Sequence, residues 1–202
     1  MKPPHYAWVL GWAIPPGWFR PLAEAAFPAA QHTLVPPTSR TWEQLEAAGE
    51  PFDRLWGYSL GSQLLLADPT RASALGAVSL LAPIWTFPRE AGQGGRIPRA
   101  QLRALSRAFR LNPADALSGF YAAAQLDIPS PPVAVEAGEW GLEQLARTAL
   151  SPELPDGWQA WCGDEDALLD AARLQCWVPQ LNRVPGATHH PRALLAAAAA
   201  LR

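Results

Sequence analysis

The pentapeptide Gly57-Tyr58-Ser59-Leu60-Gly61 joins an apolar run at 52–58 to a helical run at 61–67 with no spacer between them. This G-x-S-x-G spacing demands a sharp turn from strand to helix. Glycines at either end let neighbouring backbones pass closely. Ser59 is left at the apex, at a helix N-terminus whose N–H groups favour developing negative charge. A chain built around such a turn needs a strand order that feeds it, and the remaining sequence supplies one. Short apolar segments at 6–10, 32–35, 77–81, 158–162 and 180–184 alternate with helical stretches at 21–26, 41–48, 142–150 and 190–202. That alternation predicts an α/β domain with a mostly parallel sheet of about six strands. The run 77–81 is continuously apolar, as a strand buried on both faces requires.

Two helical signals interrupt the rhythm. Residues 98–111 read as one helix, and Asn112-Pro113 supplies an N-cap and a first-turn proline for a second. The spacing predicts a helical lid over 85–125, inserted into a core made of 1–84 and 126–202. Composition narrows the class further. The chain has 202 residues with 49% hydrophobic and 17% charged, enough to bury one core and too apolar for disorder. A net charge of −2 argues against a nucleic-acid partner. The longest apolar run, 194–201, is mostly alanine and far short of the ~20 residues of a membrane span. The N-terminal segment carries one lysine and two early prolines and does not read as a signal peptide. Cys162 and Cys176 make no disulfide framework. The expectation is a cytoplasmic protein with no membrane partner, no metal and no cofactor.

A serine at such a turn needs a base, and the base needs an orienting carboxylate. Of the four histidines, His5 precedes the first strand and His32 sits beside the second. The adjacent pair His189 and His190 follows the last strand, in a loop able to reach the carboxyl edge of the sheet where Ser59 lies. One of that pair is the candidate base. The loop after the preceding strand offers Asp164, Glu165 and Asp166 as candidate acids. An oxyanion site needs two N–H donors: that of Leu60, directly after the serine, and one from the loop after the first strand, where Gly11 makes Trp12 the candidate.

With these residues in view the chain resembles the α/β-hydrolase superfamily. Within it the chain is most similar to the pimeloyl-acyl-carrier-protein methyl ester esterases of biotin synthesis. The resemblance runs from Trp8 to Pro191 and rests on Leu10-Gly11-Trp12, the Ser59 pentapeptide, Val78-Ser79-Leu80-Leu81-Ala82, Gly163 with Asp166, and His189 with Pro191. It departs from the superfamily where Leu10 stands in place of a usual histidine and Thr188 in place of a usual glycine. The resemblance selects Asp166, three positions after a glycine, and His189, one residue before a proline. It implies a Ser59-His189-Asp166 triad that hydrolyses the methyl ester of a pimeloyl chain on an acyl carrier protein.

The insertion bears on the partner. From Arg89 to Leu111 there are six arginines against one acid, Glu90. On a helix Arg99, Arg103, Arg107 and Arg110 fall within an arc of roughly 80°. The plain reading is a solvated basic face; the other is a docking strip for an acidic partner, and the carrier implied by the resemblance would fit. Trp12, Phe120 and Tyr121 join these arginines as candidate substrate- or partner-binding residues. Two rival expectations stand beside the carrier-specific esterase: a general short-chain carboxylesterase or thioesterase using the same triad, and a non-catalytic binding protein on a hydrolase fold.

Overall fold

A computed structural model of the chain describes residues 2–49, 51–129 and 134–201. The elements run β1 (His5–Val9), α1 (Pro16–Ala26), β2 (Gln31–Val35), α2 (Thr41–Ala47), β3 (Arg54–Tyr58), α3 (Leu60–Ala67), α4 (Pro69–Leu75) and β4 (Ala77–Leu81). There follow α5 (Arg99–Leu111), α6 (Pro113–Ala123), α7 (Val135–Arg147), β5 (Gln159–Gly163), α8 (Ala171–Trp177), β6 (Asn182–Val184) and α9 (Pro191–Ala200). The strands form one sheet in the order β2-β1-β3-β4-β5-β6, parallel at every pairing. The six-stranded parallel sheet expected from the sequence is present. Its C-terminal edge gathers the loops that follow β1, β3, β5 and β6.

Aromatic side chains fill one face of this sheet. Trp8 and Trp56 occupy paired positions on β1 and β3, and their rings stack at 4.9 Å and 8°. Phe19 of α1 and Phe27 close over them, and Trp161 of β5 extends the cluster beside Trp56. All four tryptophan and phenylalanine rings nearest the sheet centre, Trp8, Trp56, Trp161 and Phe19, are buried. Large flat rings bury much area and lock one another's orientation, so this face is rigid beneath the loops it supports. α9 packs on α1 over the same side of the sheet, while α3 lies against β3 and β1.

Four helices differ from the expectation. α1 begins at Pro16, not at 21, because Pro15 is extended and Pro16 takes the first helical position. Pro21 lies inside the helix and forfeits its bond to Gly17; both residues are exposed, so water can serve the freed carbonyl. α7 spans Val135–Arg147 where 142–150 was expected. Its glycines look like helix breakers but mark close packing instead. A Cβ on Gly138 would meet the Phe109 ring at 2.2 Å, and one on Gly141 would meet the Trp12 ring at 2.5 Å. α4 and α8 were not anticipated. Each starts behind an aspartate, Asp68 or Asp170, whose carboxylate accepts from the N–H of Arg71 or Arg173.

Helices α5, α6 and α7 gather beside the loop after β1. α5 packs on α6 and α7, and α7 in turn touches α3. Trp12, from the loop after β1, is the anchor: its Nε1 donates to the Gly138 carbonyl at 2.8 Å. Its ring lies 5.7 Å from that of Phe109 and 4.7 Å from that of Phe120. One side chain of the core thus reaches all three helices.

Candidate active site

Ser59 stands between β3 and α3 with φ 53° and ψ −118°, a left-handed conformation that a serine adopts only where the surroundings enforce it. Its N–H is taken by the Leu81 carbonyl of β4, and its own carbonyl accepts from the Ser62 hydroxyl at 2.5 Å. Ser62 also accepts from the Ile84 N–H, so the turn is tied to the loop after β4. The two motif glycines make the geometry possible. A Cβ on Gly61 would lie 2.0 Å from the Val9 carbonyl oxygen, and one on Gly57 would lie 2.7 Å from the Ser62 Cα. No side chain fits at either position.

Three loops bring their polar groups together at Ser59. The Ser59 hydroxyl is 3.0 Å from His189 Nε2, and His189 Nδ1 is 2.7 Å from Asp166 Oδ2. The other Asp166 oxygen accepts from the N–H groups of Leu168 and Leu169, at 2.8 and 3.0 Å. Asp166 and His189 are fully buried, and Ser59 is 7% exposed. Gly163 explains how the acid and base loops meet, because a Cβ there would strike the Ala187 carbonyl at 2.2 Å. Such a chain of contacts can pass a proton from the hydroxyl to the imidazole while the carboxylate balances the charge.

The rival candidates are occupied elsewhere. His190 Nε2 contacts Asp127 at 3.0 Å, and its Nδ1 accepts the Arg192 N–H at the start of α9. The His190 contact holds the Asp127 carboxyl below its ordinary range. Asp164 pairs with Arg183 at 2.6 Å, and Glu165 is exposed. His5 bonds Thr33, and His32 lies between Trp8 and the Phe27 carbonyl, both far from Ser59 in the fold.

The loop after β1 borders the serine. A Cβ on Gly11 would be 3.2 Å from the Ser59 Cβ, which places Trp12 directly alongside. Neither the Trp12 N–H nor the Leu60 N–H, the first of α3, has an acceptor among the described residues. Tyr121 is buried and donates its hydroxyl to the Ala13 carbonyl, bracing this loop from α6. Burial raises the Tyr121 phenol pKa. Phe120 lines a cavity of about 350 Å³ with Phe87, Ile97, Leu102, Leu105 and Leu168, close to the acid loop. A second cavity of about 210 Å³ lies on the other side, among Ala13, Ile14, Pro36, Phe109, Leu117 and Gly138.

Arg99, Arg103, Arg107 and Arg110 are all exposed and border one groove on α5, away from Ser59. Arg110 is bridged to Glu139 of α7 at 2.9 Å. Among the described residues no three His, Cys, Asp or Glu side chains converge as metal ligands. No described helix is long and apolar enough to cross a membrane. Both cysteines are free: Cys162 is buried with its thiol pKa pushed up by burial, and Cys176 is exposed.

No protein-family model matches this sequence, and no curated protein does either. Solved structures do resemble it. An esterase from Exiguobacterium antarcticum superposes with a TM-score of 0.71 at 11% identity, over 92% of this chain and 85% of that one. A thermophilic esterase from Thermogutta terrifontis gives 0.65 at 13% identity, over 94% and 84%. The bottromycin epimerase BotH gives 0.62 at 14%, over 97% and 88%. The chain therefore has the α/β-hydrolase fold. An epimerase among the neighbours means that the fold does not choose the reaction; the residues at Ser59 must do so.

Proposed function

We propose that this protein is a serine hydrolase acting on carboxylic esters. The observation that carries the reading is the buried Ser59-His189-Asp166 chain, with contacts of 3.0 and 2.7 Å, at a strained strand-to-helix turn. The Ser59 oxygen attacks the ester carbonyl while its proton passes to His189 Nε2. Asp166 stabilises the resulting imidazolium and fixes its tautomer. The N–H groups of Trp12 and Leu60 receive the carbonyl oxygen as it becomes an oxyanion. When the C–O bond to the alcohol breaks, His189 returns the proton to the leaving oxygen. Water then gives a proton to His189 and attacks the acyl-enzyme. Breaking the acyl–Ser59 bond restores the serine hydroxyl with that proton. Replacing Ser59 by Ala should lower hydrolysis of a soluble ester such as 4-nitrophenyl butyrate by at least roughly 10³-fold. A variant that retains turnover sinks this reading.

Within this class we propose the methyl ester of a pimeloyl chain on an acyl carrier protein as the substrate. Four exposed arginines on one face of α5 favour an acidic carrier. They would act through steering and positioning more than through chemistry. Reversing Arg103 and Arg107 to Glu should raise KM for the carrier-bound ester and spare a small soluble one. Added salt should weaken only the carrier reaction of the native enzyme, because screening shortens from about 10 Å at 0.1 M to about 3 Å at 1 M. Equal rates on carrier-bound and free esters in both enzymes would favour a general short-chain esterase, the reading that the two esterase neighbours support.

A further inference from the structure

The base loop is restrained at two points, and both restraints come from residues next to the other members of the site. At one point the Ala187 carbonyl accepts from the N–H of Glu165, the residue immediately before Asp166. At the other, the His189 carbonyl accepts from the hydroxyl of Tyr58, the residue immediately before Ser59, at 2.9 Å. The Tyr58 ring also backs the imidazole, with centroids 5.5 Å apart and planes at 38°. Tyr58 is 1% exposed, and its ring also packs on Phe19 at 5.6 Å.

We propose that Tyr58 is a positioning residue for His189, a strap that carries the rigidity of the sheet from the serine's own strand to the base. This inference rests on the triad reading above.

The alternative is that Tyr58 only fills space. A phenylalanine would fill the same space without adding a buried hydroxyl that must find a partner. The partner here is the main chain of the base itself, 131 positions away in sequence. A buried tyrosine has two rotatable side-chain bonds, and packing against Phe19 and His189 leaves this one little freedom. It can therefore hold the His189 carbonyl in a fixed place relative to the sheet. The strap also persists in alkali. Burial, and then the nearby Asp166 carboxylate, push the Tyr58 phenol well above its ordinary pKa of 10, so the donor proton is retained.

The test is Tyr58→Phe, assayed on a soluble ester with active sites counted by a fluorophosphonate. Counting sites removes any misfolded fraction from the rate. Misplacing a reacting group by a fraction of an ångström to 1 Å costs up to about 100-fold. We expect kcat per titrated site to fall roughly 5- to 100-fold with KM unchanged within about twofold. In the proton NMR spectrum, a downfield Nδ1–H resonance of His189 should be present in the native protein and broadened in the variant. An unchanged kcat and resonance in Tyr58→Phe overturn the proposal, even where Ser59→Ala is inactive and the triad stands. Full activity in Ser59→Ala overturns both.

Discussion

The two adjacent histidines make different contacts, as do the two aspartates of the acid loop, and this makes single substitutions decisive. His189 is held by Asp166 on one nitrogen and reaches Ser59 with the other, whereas His190 caps α9 and pairs with an exposed aspartate. Replacing His189 by Ala should cut ester turnover by roughly three orders of magnitude or more. Replacing His190 by Ala should leave kcat within about threefold and cost the molecule about 1 kcal/mol through the lost cap. The same contrast holds between Asp166→Asn, expected to be severe, and Asp164→Asn, expected to be mild. Steady-state kinetics with a urea titration of each variant checks all four. A dead His190 variant would reassign the base. The sequence discloses the candidates because chemistry restricts them to a few residue types at strand ends. It does not disclose the Tyr58 strap, the Ser62 tie or the Leu168 and Leu169 donors. The Tyr58 and Ser62 contacts depend on where separate loops meet, and the Leu168 and Leu169 donors are backbone groups that leave no residue-type signal.

At the scale of elements, what reads easily is whatever is set by local periodicity. β4 and the pairing of β3 with α3 follow from apolar runs and two glycines. α1 and α7 read poorly because proline and glycine weigh against a helix by local propensity, while tertiary contacts decide otherwise. Glycines of α6 and α7 allow a direct test. In an exposed helix, Gly→Ala gains about 1 kcal/mol. At Gly119 of α6, an added Cβ meets nothing within 4 Å, so Gly119→Ala should raise the urea midpoint. At Gly138 the same methyl drives into the Phe109 ring, and overpacking of about 1–3 kcal/mol should lower it. Equal shifts at the two positions would mean that α7 does not press on α5. A second element-scale test concerns the corner between α1 and β2. His32 Nδ1 accepts from Trp8 Nε1 at 3.0 Å, and Nε2 faces the Phe27 carbonyl at 3.1 Å, an arrangement that needs a neutral ring. Burial lowers its pKa below the ordinary 6.5. The unfolded chain then binds the proton first, so stability is full above about pH 6.5 and declines as pH falls through the folded value. Denaturation midpoints between pH 7.5 and 5 should show that decline, and His32→Gln should flatten it.

For the whole molecule, the sheet order separates the site into two halves of the chain. Ser59 and the loop after β1 belong to the four strands β2-β1-β3-β4, while Asp166 and His189 follow β5 and β6. The two groups of strands meet where Ser79 pairs with Gln159, eighty positions away, with all of α5, α6 and α7 between them. Pairings of such long separation are slow to form, because the intervening chain must be gathered before they are rewarded. The seam between β4 and β5 is therefore expected to close late in refolding. Esterase activity should return with the slowest phase, after helical circular dichroism has recovered. Activity that returned together with the earliest helical signal would show that the seam closes first. A newly synthesised chain would accordingly carry a formed elbow and no working base until β5, β6 and α9 had docked, and until then it would be chemically silent.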